Sequence, residues 1–229
     1  MDYKKNSRYF KGVNYNYAIV LIVIGAIISF LGFSLISNRV NGAGGLLFFG
    51  LLGVAGGIAI LILLKKKVVT DAEYDNSVAS MLGNMKERAL DKLGVDEDEV
   101  KEIAPISFDG YVYKGANKVK KGKDNLWRTN KYESVMLFFS QNEVHCYTYS
   151  FNTTEKKQTE STDVYFYKDI VSVSTASDTI SVLEQNVEYE YFKLTTAGGT
   201  ALSVSLRDID NAQRSINAMR ALLKTKKQG

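Results

Sequence analysis

The chain reads as a membrane α-hairpin of two transmembrane helices followed by a cytoplasmic α+β domain. In that domain an antiparallel sheet of about seven strands is closed by a C-terminal helix. Three observations predict this. Two uncharged apolar stretches, Tyr17–Ser37 and Gly45–Leu64, lie back to back. Basic residues flank them on both outer sides, whereas the link between them carries only Arg39. From Phe108 the apolar period is two, and from Asp208 it returns to three or four.

A helix crosses a hydrocarbon core of about 30 Å with roughly 20 apolar residues. No charge falls between Gly12 and Asn38 or between Val40 and Leu64, so each stretch is long enough. The first continues through Phe33, Leu35 and Ile36, too far for the apolar region of a signal peptide. Two crossings joined by the short link Asn38–Gly44 must be antiparallel. Lys4, Lys5, Arg8 and Lys11 precede them and Lys65, Lys66 and Lys67 follow. Basic flanks stay inside, which predicts a cell-membrane protein with both termini cytoplasmic and the link outside. Tyr9, Phe10, Tyr15 and Tyr17 suit an interfacial aromatic belt, and the lone Cys146 excludes an intramolecular disulfide.

Gly50, Gly53 and Gly57 share one face of the second crossing, and Gly25 and Ser29 offer a small face on the first. Small faces let helix backbones approach closely, which predicts packing inside the hairpin and is compatible with a homo-oligomer through the second helix. Neither crossing contains an ionisable residue, as suits an anchor better than a transporter.

The expected division is a basic N-terminus 1–16, crossings 17–37 and 45–64 around the loop 38–44, a helical linker 65–106 and a domain 107–229. Residues 68–229 carry a net −3, so the overall +4 belongs to the membrane flanks and gives no basis for a nucleic-acid partner. Thr70-Asp71-Ala72-Glu73 matches a capping box opening a helix over 71–93, which Gly94 ends. Its stripe of Val78, Met81, Leu82, Met85, Ala89 and Leu93 must meet the domain, a twin helix of a homo-oligomer or the membrane surface. Asp71, Glu73, Asp75, Glu87 and Asp91 argue against the last. Asp96–Glu99 caps a short helix toward Ile103, and Pro105 marks its end.

Strands follow at Tyr111–Tyr113, Tyr132–Ser140, Val144–Phe151, Asp163–Tyr167, Ile170–Ser174, Glu188–Thr195 and Ala201–Leu206. Ser140–Glu143 and Ala197–Thr200 read as hairpin turns. A helix over Asp208–Lys224 aligns Ile209, Ala212, Ile216, Met219 and Leu223 on one face. This element order, together with Phe166–Ser174 (FYKDIVSVS), resembles bacterial pleckstrin-homology (PH) and GRAM-type domains over roughly residues 107–225. The resemblance implies a PH-like barrel plugged by the last helix, and a role in binding proteins or lipid head groups.

The residue inventory argues against an enzyme. His145 and Cys146 are the only residues of their kind, and as strand neighbours they point to opposite faces. One of each cannot build a zinc site, so no metal is expected. Asp71, Glu73 and Asp75 begin like a calcium loop, but Asn76 and Leu82 occupy positions that need Gly and Glu. No phosphate-binding glycine motif occurs and no cofactor is expected. Asn152-Thr153-Thr154 is a glycosylation sequon, idle in a cytoplasmic domain.

One charge concentration remains. Lys114–Lys131 carries a net +6 while the rest of the soluble part totals −9. By the resemblance this stretch joins the first two strands, where Lys118, Lys120, Lys121, Lys123 and Arg128 would contact anionic lipid head groups and Trp127 would anchor in the interface. The bland reading is a solvated loop. The expected function is therefore a membrane-tethered PH-like interaction module, a scaffold or adaptor with an unidentified protein partner. Head-group recognition by the basic loop is the alternative.

Overall fold

The computed structural model describes residues 1–228, which divide into two units: residues 11–70, and residues 1–10 together with 71–228. Helix α1 (Tyr3–Phe10) belongs to the second unit, and helices α2 (Asn16–Ser37) and α3 (Ala43–Lys65) form the first.

Both α2 and α3 are long and apolar enough to cross a membrane. They pack through their smallest residues: Ala18, Gly25 and Gly32 on α2 and Ala43, Gly50 and Gly57 on α3, spaced by seven, are buried. A Cβ on Gly50 would collide with the Ser29 amide nitrogen, and one on Gly25 would stand 2.7 Å from the Gly50 carbonyl oxygen. Gly57 lies against Ile22 and the Ala18 carbonyl, and Gly53 approaches Gly25 more loosely, at 3.3 Å. The face carrying Gly50, Gly53 and Gly57 is thus turned to α2. The large apolar residues point outward, with Phe30 73% and Phe49 68% exposed.

The second unit is built on two sheets. Strands β1 (Ile106–Tyr111), β4 (Lys131–Phe139), β5 (Glu143–Asn152) and β6 (Gln158–Phe166) form an antiparallel sheet in the order β1-β4-β5-β6. The short β2 (Val119–Lys121) and β3 (Trp127–Thr129) form a separate ribbon between β1 and β4. Strands β7 (Ile170–Val182), β8 (Gln185–Thr196) and β9 (Gly199–Ser205) form the second sheet, and α6 (Ile209–Gln228) follows. The core lies between the sheets, where Phe108, Val135, Leu137, Cys146, Phe192 and Leu194 meet Ala212, Ile216, Met219 and Leu223 of α6.

The closed barrel implied by the resemblance does not form. β6 and β7 do not pair; the turn Tyr167–Asp169 joins them, and α6 fills the space between the sheets. β1 and β9 lie edge to edge without a ladder: Arg207 N donates to Asp109 O, and a Cβ on Gly110 would collide with the Ser205 carbonyl oxygen. The α6 stripe is buried from Ala212 onward, but Ile209 in its first turn is 44% exposed.

Two further expectations are corrected. The helix over 71–93 is two helices, α4 (Asp71–Leu82) and α5 (Met85–Leu93), because Gly83 is a poor helix residue and Asn84 starts a new one. Asp96 and Glu99 cap each other's backbone, but the helix expected to run toward Ile103 is a single turn, Glu97–Glu99. The α4–α5 stripe meets the protein's own sheet rather than a twin helix: Val78, Met85 and Ala89 are buried, and α5 packs on β4 and β5. The four-stranded sheet is therefore covered on both faces.

Candidate functional site

On the outer face of that sheet, rings from five elements form a continuous column. Tyr9 of α1 stacks on Tyr74 of α4 at 4.3 Å, and Tyr74 stacks on Tyr111 of β1. Tyr111 meets Tyr132 of β4 edge-on at 4.9 Å, and Tyr132 meets Phe151 of β5. All five rings are buried. Tyr9, expected in a membrane belt, is a core residue of this unit.

Burial obliges the hydroxyls to find partners. Tyr9 donates to Asp71 at 2.8 Å, Tyr74 to the Thr129 carbonyl at 2.8 Å and Tyr111 to Asp75 at 2.6 Å. Burial, helped by the bonded carboxylates Asp71 and Asp75, pushes the Tyr9 and Tyr111 hydroxyls well above their ordinary value, so both stay protonated donors. Asn6 completes the docking of α1 by donating to the Thr153 carbonyl and the Ser77 hydroxyl, both at 2.9 Å.

Asp75 is the hub. Its carboxylate accepts from Arg128 Nε at 2.9 Å, from Arg128 Nη2 and Arg207 Nη2 at 2.8 Å each, and from Tyr111. Burial pushes this carboxyl up, but the bonds from Arg128 and Tyr111 and the charge of Arg207 outweigh it, and its pKa lies below the ordinary value. Arg128 also binds Asp124, whose pKa falls to about 2, chiefly through that bond. Gly122 makes room for this cluster, because a Cβ there would collide with Arg128 Nη1 and stand 2.5 Å from Asp124.

The residues expected to face lipid lie on or beside the β2–β3 ribbon, in three different situations. Arg128 is corrected: at 1% exposure it is an internal ion, fully engaged by Asp75 and Asp124. Lys120 is held by α1, its ammonium 3.0 Å from the Tyr9 carbonyl oxygen and 4.0 Å from the ring centroid, and burial lowers its pKa. Lys118 donates to the Thr154 hydroxyl at 3.2 Å, and Trp127 is half-buried. Lys121 and Lys123 are exposed; Lys121 lies over the Trp127 ring, and Lys123 is tied only through its backbone amide to Asp71.

Beside the ribbon, a cleft of about 430 Å³ opens at the ends of β4, β5 and β6. Lys131 and Glu133 on β4 and Glu155 and Lys157 of the β5–β6 turn are among the residues that line it. No pattern in the sequence marks Lys157, because only the pairing of β4, β5 and β6 brings it into one cleft with Lys131. The sequon is closed by structure: Asn152 is 8% exposed, and its Oδ1 accepts from Thr154. Burial pushes the Cys146 thiol up to about 12, which leaves it unreactive. Among the described residues no cluster of metal-ligating side chains occurs. No family model, curated protein or solved structure matches the chain.

Proposed function

We propose that the chain is a membrane-tethered interaction module of PH-like build, working as a scaffold or adaptor at the inner face of the cell membrane. One observation carries the reading. The segments on either side of the apolar pair, 1–10 and 71–82, fold together in one unit, joined by Tyr9 to Asp71 and Tyr74. Flanks that share a folded unit share a side of the membrane, which calls for an even number of crossings. The basic residues on both flanks favour the cytoplasmic side. The PH-like build is supported by four strands, then three, then an apolar-faced helix across the gap.

The partner surface in this reading is the outer edge of β6, which among the described residues pairs with no strand and exposes Val164 and Phe166. Such an edge accepts an extended segment by strand addition. The other free edge, on β7, is partly closed, because Arg220 and Lys227 of α6 donate to the carbonyls of Val173 and Ile170. A photo-crosslinking residue at Thr162 on β6 should give a defined protein adduct in membranes, and one at Gln213 on α6 should not. Equal or absent adducts would sink the edge. Impermeant thiol reagents on intact cells should label Asn41→Cys and spare Ser161→Cys, an exposed probe that replaces the buried Cys146. Labelling at position 161 would put the domain outside.

A second reading, anionic head-group contact, is favoured by the location of the ribbon turn. Lys123 is tethered to Asp71, and only residues 66–70 separate Asp71 from the end of the apolar helix, a reach of at most about 22 Å. Exposed Lys121 and Lys123 would then lie near the leaflet.

A further inference from the structure

We propose that α1 is a releasable strap that competes with anionic lipid for the β2–β3 ribbon. Docked, it withholds Lys120; anionic head groups favour its release. The proposal rests on the head-group reading and adds a regulation to it.

The two contacts compete at one side chain. The Lys120 ammonium bonds the Tyr9 carbonyl oxygen at 3.0 Å and lies 4.0 Å from the centre of the Tyr9 ring, so a phosphate can take all of its N–H donors only when Tyr9 leaves. What holds the strap is concentrated in Asn6, Tyr9 and the edge contact of Phe10 with the Tyr74 ring. An eight-residue helix is not stable alone in water, so α1 owes its order to docking. Of its residues only Asn6 and Tyr9 are buried; Lys5 makes an exposed pair with Glu73 at 2.8 Å. Segments held by so few buried groups open locally, well below the global unfolding free energy. Release also parts Lys5 from Glu73, so that it can join the already exposed Lys4 and Arg8, with Lys120, Lys121 and Lys123, on an anionic surface. Lipid that binds only the released form shifts the population toward it. Neutral lipid has no such preference and leaves the strap closed.

The test is hydrogen exchange on the full chain in nanodiscs of phosphatidylcholine, alone or mixed equally with phosphatidylglycerol. The anionic lipid should speed exchange at residues 6–10 by about tenfold or more while slowing it at 119–129. Tyr9→Ala should exchange at the released rate in both discs and show stronger ribbon protection in the anionic one. Exchange at β4 and β5 reports whether that variant keeps its fold. If it does not, Tyr9→Phe, which keeps the ring stack and loses the Asp71 bond, should shift part of the way. Ribbon protection with unchanged α1 exchange overturns the strap and leaves the head-group reading standing. A ribbon unprotected in both the wild type and the Tyr9 variant overturns both.

Discussion

Gly50 and Asp75 each sit at the centre of a close contact, built in opposite ways. Around Gly50 two helices touch because side chains are missing: Ser29 and Gly25 approach its backbone, and no ion takes part. Around Asp75 three elements and the β9–α6 loop touch because polar groups are present in matched number, with Arg128, Arg207 and Tyr111 all donating to one carboxylate. The difference follows from the surroundings each sequence suits. Between apolar helices in lipid there is no hydrophobic drive to association, so close van der Waals approach has to supply it. In a packed core of mixed side chains a buried charge is tolerated only when every partner is supplied. Damage should therefore differ in kind: the hairpin is sensitive to added volume, the clasp to lost charge.

The largest effect is expected at the hub. Asp75→Ala leaves the buried Arg128 with Asp124 as its one carboxylate and strips Arg207 of its carboxylate, and should cost about 3–5 kcal/mol of stability in chemical denaturation. A loss under about 1 kcal/mol would mean that the clasp is decorative. Next is Gly50→Leu, which overfills the helix contact and should cost about 1–3 kcal/mol. A Cβ on Gly56 would stand 3.8 Å from the tip of the Leu21 side chain, so cysteines at these two positions should be bridged by a short bifunctional thiol reagent in the parent and poorly in that variant. Gly44→Leu, with nothing within 4 Å, should leave cross-linking unchanged.

The smallest effect sharpens the comparison through pH. Asp124 titrates near 2 in the folded chain against 3.8 for the free side chain, so its pairing with Arg128 favours folding above that free value. This contribution should fade as pH falls from about 4 through 2. Thermal unfolding of Asp124→Asn should show a shallower loss of Tm over that window. The hairpin, without an ionisable residue between Gly12 and Asn38 or Val40 and Leu64, should be indifferent.

Much of the local structure was legible because it depends on neighbours in sequence. Alternation set the faces of β4 and β5, where Val135, Leu137, Val144 and Cys146 reach the core. The stop at Gly94 was readable from a residue that adopts φ +66 without strain. The turn between β7 and β8 was not, because Leu183 and Glu184 both take positive φ with no glycine or asparagine to announce it. The long hairpin they close pulls them into that conformation against their local preference.

The candidate site divides along the same line. Sequence alone determined two long apolar helices, the sheet-rich domain after them, the closing helix, and where positive charge concentrates, since composition and periodicity are properties of short stretches. Only the tertiary structure decided what those charges do. Arg128 and Lys123 look equivalent in the chain, yet one is buried by an aspartate 53 residues away and the other is exposed. Tyr9 reads as a membrane-flanking aromatic until Tyr74 and Lys120, from the far side of the hairpin, enclose it. Burial is decided by whatever packs against a side chain, and here those partners lie 65 and 111 residues distant, beyond the reach of any local pattern.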